Sequence, residues 1–203
     1  MAIHTRISTT KIIEKVSDLC MDANFILNED VLKALTDSYE AEVSPVAKEI
    51  FADLLENAKI AKECRMPICQ DTGVAVIFVE IGIGVEITDG NLYDAINEGV
   101  RRGYKEGFLR KSMVSDPINR TNTGDNTPAI IHSEFISGNC LKITFMAKGA
   151  GCENMSRISM LTPADGRKGI IDFVVETVKV AKANPCPPVI VGVGIIVWVG
   201  TGV

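Results

Sequence analysis

The chain has 203 residues, of which 46% are hydrophobic and 23% charged, a globular composition that argues against a disordered or fibrous protein. Its formal net charge of −5 gives no electrostatic footprint for nucleic acid or for an anionic membrane surface. The N-terminus lacks the apolar stretch of a signal peptide, and no run approaches the roughly 18 apolar residues of a spanning helix. We therefore expect a single cytoplasmic domain with a small soluble ligand, and neither nucleic acid nor membrane as a partner.

The first third of the chain is predicted to be helical, over residues 8 to 62. Ser44 is a candidate N-cap, with Pro45 at the first helical position. The apolar run from Val74 to Ile81 then predicts a strand that is covered on both faces. The polar residues just before this run would lie at the entrance of the strand.

A second helix is predicted after Gly84, with Asp89 or Asn91 as its N-cap. Residues 109–129 follow without periodicity, and a loop of this length is usually functional or mobile. The segments AIIHSEFI and CLKITFMAKG predict a hairpin, a helix follows the turn at residues 163–166, and VIVGVGIIVWVGTGV predicts a final strand. The expected fold is α+β, with an N-terminal helical lobe packed on a mostly antiparallel or mixed sheet and the site in loops at strand ends.

The six cysteines are not expected to form disulfides in a cytoplasmic protein. Each is then a buried apolar residue, a metal ligand or a reactive thiol. Cys64 falls at the end of a predicted helix, and we expect it to be buried there. The full set is Cys20, Cys64, Cys69, Cys140, Cys152 and Cys186.

The segment Cys69-Gln70-Asp71-Thr72-Gly73 combines a thiol, an amide and a carboxylate at a strand entrance. An isolated buried carboxylate costs several kcal/mol or takes up a proton, so Asp71 is a candidate acid. The alternative is a polar turn that carries an incidental thiol.

Three further segments carry candidate site residues. Cys186 lies between prolines, which fix the direction of its thiol before a ligand arrives, and such thiolates suit soft metals and iron-sulfur clusters. Glycines after a strand, as at Gly149 and Gly151, let backbone N–H groups approach an anion. Arg110 suits two-point recognition of a carboxylate. A rigid turn, a glycine-rich turn and a solvated arginine are the respective alternatives.

Taken together, these segments resemble one family. CQDTG, LRKS, NTGDNTPA, KGAGCENMS and NPCPPVIVGVG occur in the order and spacing of the iron-sulfur hydro-lyases, namely class I fumarases and the α subunits of L-tartrate dehydratase and of two-subunit fumarase. The resemblance runs from about Thr10 to Ile195. Cys152 within KGAGCENMS is more similar to the two-subunit type, because single-chain fumarases tend to carry serine there.

The resemblance implies a [4Fe-4S] cluster held by three cysteines, with one iron open to substrate. It implies Cys69 and Cys186 as two of the ligands and Asp71 as the catalytic acid. It also implies binding of a C4 dicarboxylate, either fumarate and malate or tartrate and oxaloacetate. A β subunit is implied as the partner that supplies the catalytic base, in a dimer of α subunits or an αβ heterotetramer. The substrate-binding residues implied by the resemblance are Gln70, Asp71, Arg110, Gly149 and Gly151.

The sequence departs from this family at its C-terminal end. The third ligand is expected downstream of residue 203, and IVWVGTGV stands where the family continues with glycines and a helix. We therefore expect a C-terminally truncated chain that is apo and inactive by itself, with Cys152 as a candidate substitute thiol. Two alternatives stay open: a non-catalytic fragment that keeps the fold or a partner-binding surface, and a zinc module. The zinc module would use Cys64, Cys69, Cys152 and Cys186, but it lacks paired C-x2-C spacing.

Overall fold

A computed structural model of the protein describes residues 5–185 and 189–196. The Cα positions form two compact units, Met1–Gly149 and Ala150–Val203, and each is described by itself. Helices and a mixed sheet are both present, so the predicted α+β class is confirmed. None of the helices in the described ranges combines the length and apolarity needed to cross a bilayer.

The described residues of the first unit form nine regular elements. They are β1 (Thr5–Ser8), α1 (Thr9–Phe25), α2 (Glu29–Ala41), α3 (Pro45–Cys64), β2 (Val74–Gly82), β3 (Val85–Thr88), α4 (Leu92–Glu106), β4 (Ile130–Ile136) and β5 (Leu141–Lys148). The capping chemistry explains where two of the helices begin. Ser44 Oγ accepts the Ala47 N–H at the start of α3, and Asn91, rather than Asp89, caps α4.

The central strand of the main sheet is β2, and the strand order is β4-β2-β5. β4 runs parallel to β2 and β5 runs antiparallel to it, so the sheet is mixed as predicted. The predicted hairpin is wrong, because β4 and β5 flank β2 instead of pairing with each other. The connection between β4 and β5 passes the end of β2. There the Gly82 N–H donates to Cys140 O and the Gly84 N–H donates to Gly138 O.

β2 is covered fully on one face and only partly on the other, so the prediction of a strand covered on both faces holds only in part. Ala75, Ile77 and Val79 are buried in the core with residues of α1 and α4. On the opposite face Phe78 stays 42% exposed and stacks on His132 with 5.1 Å between ring centroids. Val76 on that face is 7% exposed, so the apolar run reflects burial at Val76 and strand propensity at Phe78.

The helices α1 and α4 approach closely because glycines lie at their contact. A Cβ atom added at Gly99 would stand 2.6 Å from Val16 Cβ, and one at Gly103 would stand 2.7 Å from Cys20 Cβ. Distances below 3 Å cannot be accommodated without a shift of the partner helix. This contact holds α4, and the loop that follows α4, in a fixed position against the core.

The second unit contains α5 (Ala150–Glu153), a 3₁₀ turn (Pro163–Asp165) and α6 (Gly166–Ala181). The turn and helix predicted at residues 163–181 are confirmed. The predicted final strand is wrong over residues 189–196, which have no strand pairing, since a β-prone run forms a strand only with a partner. Residues 197–203 lie outside the described residues.

Residues 107–129 form the predicted long loop, and one isolated bridge joins Val114 to Asn122. The loop is fastened to α4 by an ion pair of 2.9 Å between Arg101 Nε and Asp125 Oδ2. Asp125 also accepts hydrogen bonds from the Thr127 N–H and hydroxyl. Partial burial favours a higher pKa for Asp125, but the hydrogen bonds from Arg101 and Thr127 outweigh it and lower the pKa to about 2.

The glycine contact predicts that Gly103→Ala destabilises the protein, although alanine is the better helix former by about 1 kcal/mol. We expect the free energy of unfolding to fall by roughly 1–3 kcal/mol from overpacking, as measured by urea denaturation. Gly192→Ala is the control, because no atom lies within 4 Å of its added Cβ. Equal stability of Gly103→Ala and the wild type would contradict the close contact.

The ion pair of Asp125 predicts a pH-dependent contribution to stability. Since the folded pKa is about 2 and the ordinary value is 3.8, the stabilisation is present above about pH 4 and is lost as the pH falls towards 2. We expect the stability gap between wild type and Asp125→Asn to shrink over that window in denaturation series. Arg101→Leu should reproduce the loss, and a gap independent of pH would refute the ion pair.

Candidate functional site

The segment before β2 is anchored to two helices. The Ile68 N–H donates to Asn24 O of α1 at 2.9 Å, and Asn57 Nδ2 of α3 donates to Ile68 O at 2.8 Å. Arg65 ends α3 in a left-handed conformation, at φ 49°. The main chain at Ile68 is therefore held in place, and the residues that follow form the turn Cys69–Gly73.

Cys69, Gln70 and Arg110 line one cleft of about 380 Å3. The Cys69 thiol is exposed, and its nearest hydrogen-bond partner is the Asp71 carbonyl at 3.8 Å. Phe108, at the mouth of the cleft, is 90% exposed. Forty residues separate the predicted thiol and guanidinium in sequence, and the fold brings them to the same hollow. Pro67 and Thr72 complete the lining.

Two glycines bring the end of β5 against this turn. Gly73 has φ +63°, and an added Cβ would stand 2.4 Å from Lys148 O; an added Cβ at Gly149 would stand 2.8 Å from Asp71 Oδ2. The half-buried Asp71 carboxylate thus lies directly against Gly149. The structure therefore places Cys69, Gln70, Asp71, Arg110 and Gly149, five predicted site residues, around one turn.

Buried hydrogen bonds hold the turn together, and sequence reasoning assigned them no role. Thr72 Oγ1 donates to Arg110 O at 2.7 Å, and Tyr104 Oη donates to Thr72 O at 2.7 Å. Burial raises the pKa of Tyr104, so its phenol keeps the proton it donates. Asn126 Nδ2 donates to Gly73 O at 3.1 Å. Tyr104 could have been found from the helical spacing, because it continues the apolar face of Ile96 and Val100.

The cysteines of the described ranges are free and fall into two groups. Cys20 is buried, and burial raises its pKa to about 12, as expected of an inert core residue. Cys64 is exposed at the end of α3, which corrects the expectation that it is buried. The exposed thiols are Cys64, Cys69, Cys140 and Cys152.

The second unit places Cys152 and Gly151 in the short helix α5. The Cys152 thiol donates to Pro185 O at 3.0 Å, so it lies beside the residue that precedes Cys186. Cys186 itself lies outside the described residues, and its convergence with Cys69 stays a prediction. Among the residues that the structure describes, no three His, Cys, Asp or Glu side chains come together as metal ligands.

Comparisons with known proteins place the chain in a family. The sequence profile of the fumarate hydratase (Fumerase) family matches residues 13–197. A protein of Methanocaldococcus jannaschii, provisionally named L(+)-tartrate dehydratase subunit alpha, is 41% identical over 192 residues, covering 91% of this chain and 67% of the relative. The L(+)-tartrate dehydratase subunit alpha of Escherichia coli strain K12 is 29% identical over 197 residues, covering 96% and 65%. That of Escherichia coli strain UTI89 is 30% identical with the same coverage.

The chain therefore spans about two thirds of the length of these relatives. The matched range contains the five segments on which the resemblance was drawn. The predicted membership is thereby confirmed, including the likeness to α subunits: the chain belongs to the fumarate hydratase (Fumerase) family of hydro-lyases.

Proposed function

We propose that this chain is the cluster-bearing α subunit of a hydro-lyase that reversibly hydrates and dehydrates a C4 dicarboxylate. The substrate pair is fumarate and malate or tartrate and oxaloacetate. The observation that carries the proposal is the shared cleft, where the exposed thiol of Cys69 and the side chains of Gln70 and Arg110 meet. The relatives named as tartrate dehydratase α subunits support the same class of reaction.

Arg110 is the proposed carboxylate-binding residue. Its side chain is exposed on the cleft, and within the described ranges no ion pair or hydrogen bond engages the guanidinium. A guanidinium binds a carboxylate through two parallel hydrogen bonds, which orient as well as attract. Gln70 adds an amide that can donate to or accept from a second polar group of the same substrate.

Asp71 is the proposed group that moves a proton. Hydration adds a proton to one alkene carbon and hydroxide to the other, and dehydration returns both as water. Asp71 lies in the chain between Gln70 and Thr72, which line the cleft, and a carboxyl group placed there can donate the proton to the departing hydroxide or recover it from water. Because Gly149 has no side chain, the Asp71 carboxylate can lie directly against the end of β5.

A [4Fe-4S] cluster is the proposed cofactor, and Cys69 fits it as an exposed thiol on the cleft. Cys69 and Cys186 would be two ligands, with a third outside residues 1–203 or supplied by Cys152, whose thiol lies beside Pro185. When bound, the open iron supplies a Lewis acid for the substrate hydroxyl and carboxylate. Around it, Arg110 and Gln70 hold the substrate and Asp71 holds the proton.

A β subunit is the proposed partner, in an assembly based on a dimer of α subunits or an αβ heterotetramer. The relatives are named as α subunits, which supports a second chain. The activity test therefore uses this chain together with its β subunit, under anaerobic conditions, with fumarate, malate and tartrate as substrates. Turnover of none of these acids would refute the proposed function.

Replacing Asp71 with Asn removes the proton-transferring group and keeps its size. We expect kcat to fall by roughly 10²–10⁴-fold, with iron content unchanged. Asp53→Asn on the exposed side of α3 is the matched control. Full turnover of Asp71→Asn would remove Asp71 from the mechanism.

Replacing Cys69 with Ser tests the metal centre separately from turnover. We expect the visible absorption and the iron content after anaerobic reconstitution to be lost, because a soft thiolate ligand is exchanged for a hard hydroxyl. Cys140→Ser, which changes an exposed thiol away from the residues that line the cleft, should retain both. An unchanged iron content in Cys69→Ser would exclude Cys69 as a ligand.

A further inference from the structure

We propose that Thr72 and Asn126 are positioning residues that fix Arg110 relative to Gln70 and Asp71. They form two hydrogen-bonded links, one at Arg110 and one at Ser112 and Met113, which we call the Thr72–Asn126 clamp. The inference rests on the proposed function, because it assigns a purpose to the spacing between the carboxylate-binding and proton-transferring groups.

The first link of the clamp is a single buried hydrogen bond. Thr72 is 2% exposed and directly follows Asp71 in the chain. Its Oγ1 donates to the carbonyl oxygen of Arg110 at 2.7 Å. The main chain that carries Asp71 and the main chain that carries Arg110 are therefore joined through the Thr72 hydroxyl, without the side chains of Gln70, Asp71 or Arg110 taking part.

The second link is made by one amide side chain. Asn126 is 0% exposed, and its Oδ1 accepts the N–H groups of Ser112 and Met113 at 2.7 and 3.0 Å. Its Nδ2 donates to Gly73 O at 3.1 Å. The asparagine amide offers an acceptor oxygen and two N–H donors on separate atoms, and asparagine also tolerates the left-handed backbone found here, with φ 63°.

The two links bracket the segment from Arg110 to Met113 on the main chain of Thr72 and Gly73. Arg110 lies near the start of the loop 107–129, which has little regular structure of its own. The clamp therefore orders this segment in place of a helix or strand. Small misplacements of a substrate-orienting group lower the rate markedly, since about 1 Å can cost 10²-fold. The clamp should thus act through Arg110 on substrate binding rather than on the proton transfer itself.

The isosteric pair Thr72→Val and Thr72→Ser tests the first link. Valine keeps the shape and loses the hydroxyl, whereas serine keeps the hydroxyl. In the complex with the β subunit, we expect Thr72→Val to raise KM for the dicarboxylate about tenfold or more, with a smaller change in kcat. Thr72→Ser should stay within about threefold of the wild type, as should Thr144→Val on the exposed face of the sheet. Equal KM values for valine and serine would overturn the inference.

A double-mutant cycle with Arg110→Ala separates positioning from general damage. If Thr72 acts through Arg110, Thr72→Val has no further effect on KM once the guanidinium is absent. Additive losses would overturn the inference, because they would show an effect that bypasses Arg110.

Hydrogen exchange tests the second link on the chain itself, without turnover. In Asn126→Gly, which permits the same backbone conformation, we expect the Ser112 and Met113 amides to exchange at least about tenfold faster than in the wild type. Unchanged exchange would overturn the clamp even if the enzyme proved active. Conversely, faster exchange in a complex that hydrates no C4 acid would support the clamp and refute the proposed function. Should Thr72→Val fail to fold, Asn126→Asp keeps the test, since it retains an acceptor for Ser112 and Met113, replaces the donor to Gly73 O with a carboxylate oxygen, and is expected to raise KM.

Discussion

The approach of Gly73 to the Lys148–Gly149 peptide is the constraint on which the site depends. A Cβ atom at Gly73 would stand 2.4 Å from Lys148 O, so only glycine allows the end of β5 to lie against the turn before β2. The antiparallel pairing of these strands ends at the same place, with Val74 opposite Lys148. Asp71 and Gly149 become neighbours as a direct result of this pairing. The chemistry of the site is therefore set by a contact between backbones.

The side chains that hold the turn in place are different from the side chains that are exposed on the cleft. The Tyr104 phenol, the Thr72 hydroxyl and the Asn126 amide are buried, and the bonds described here run to main-chain groups. Cys69 and Arg110 are exposed on the cleft instead. Preorganised sites commonly divide the work in this way, because a group that orients a loop cannot also be free to meet a ligand. The proposed dicarboxylate site follows the same division.

The helices and the site motifs could be predicted from the sequence, whereas strand pairing could not. Ser44 and Asn91 carry local capping chemistry, and their helices start where expected. The short connection at residues 137–139 is typical of a hairpin. However, the two strands that this connection joins, β4 and β5, both pair with β2 instead of with each other. Pairing depends on contacts between distant residues, which local patterns do not contain.

The supporting hydrogen bonds were missed for a related physical reason. Thr72, Tyr104 and Asn126 donate to carbonyl oxygens, and a carbonyl is present on every residue. The identity of the residue whose carbonyl accepts the hydrogen bond therefore carries no information about that bond. Side chains that are proposed to meet a ligand, such as Cys69 and Arg110, are constrained by their chemistry and are recognisable in a motif.

The most direct test of a common site at the turn and at Arg110 is protection of the guanidinium from phenylglyoxal. The modification of Arg110 would be followed by peptide mass spectrometry in the complex, with and without fumarate, malate or tartrate. We expect at least one of these acids to slow the modification of Arg110 and not that of Arg167, and alkylation of Cys69 to abolish the protection. Equal modification of Arg110 with and without every acid would contradict a common site.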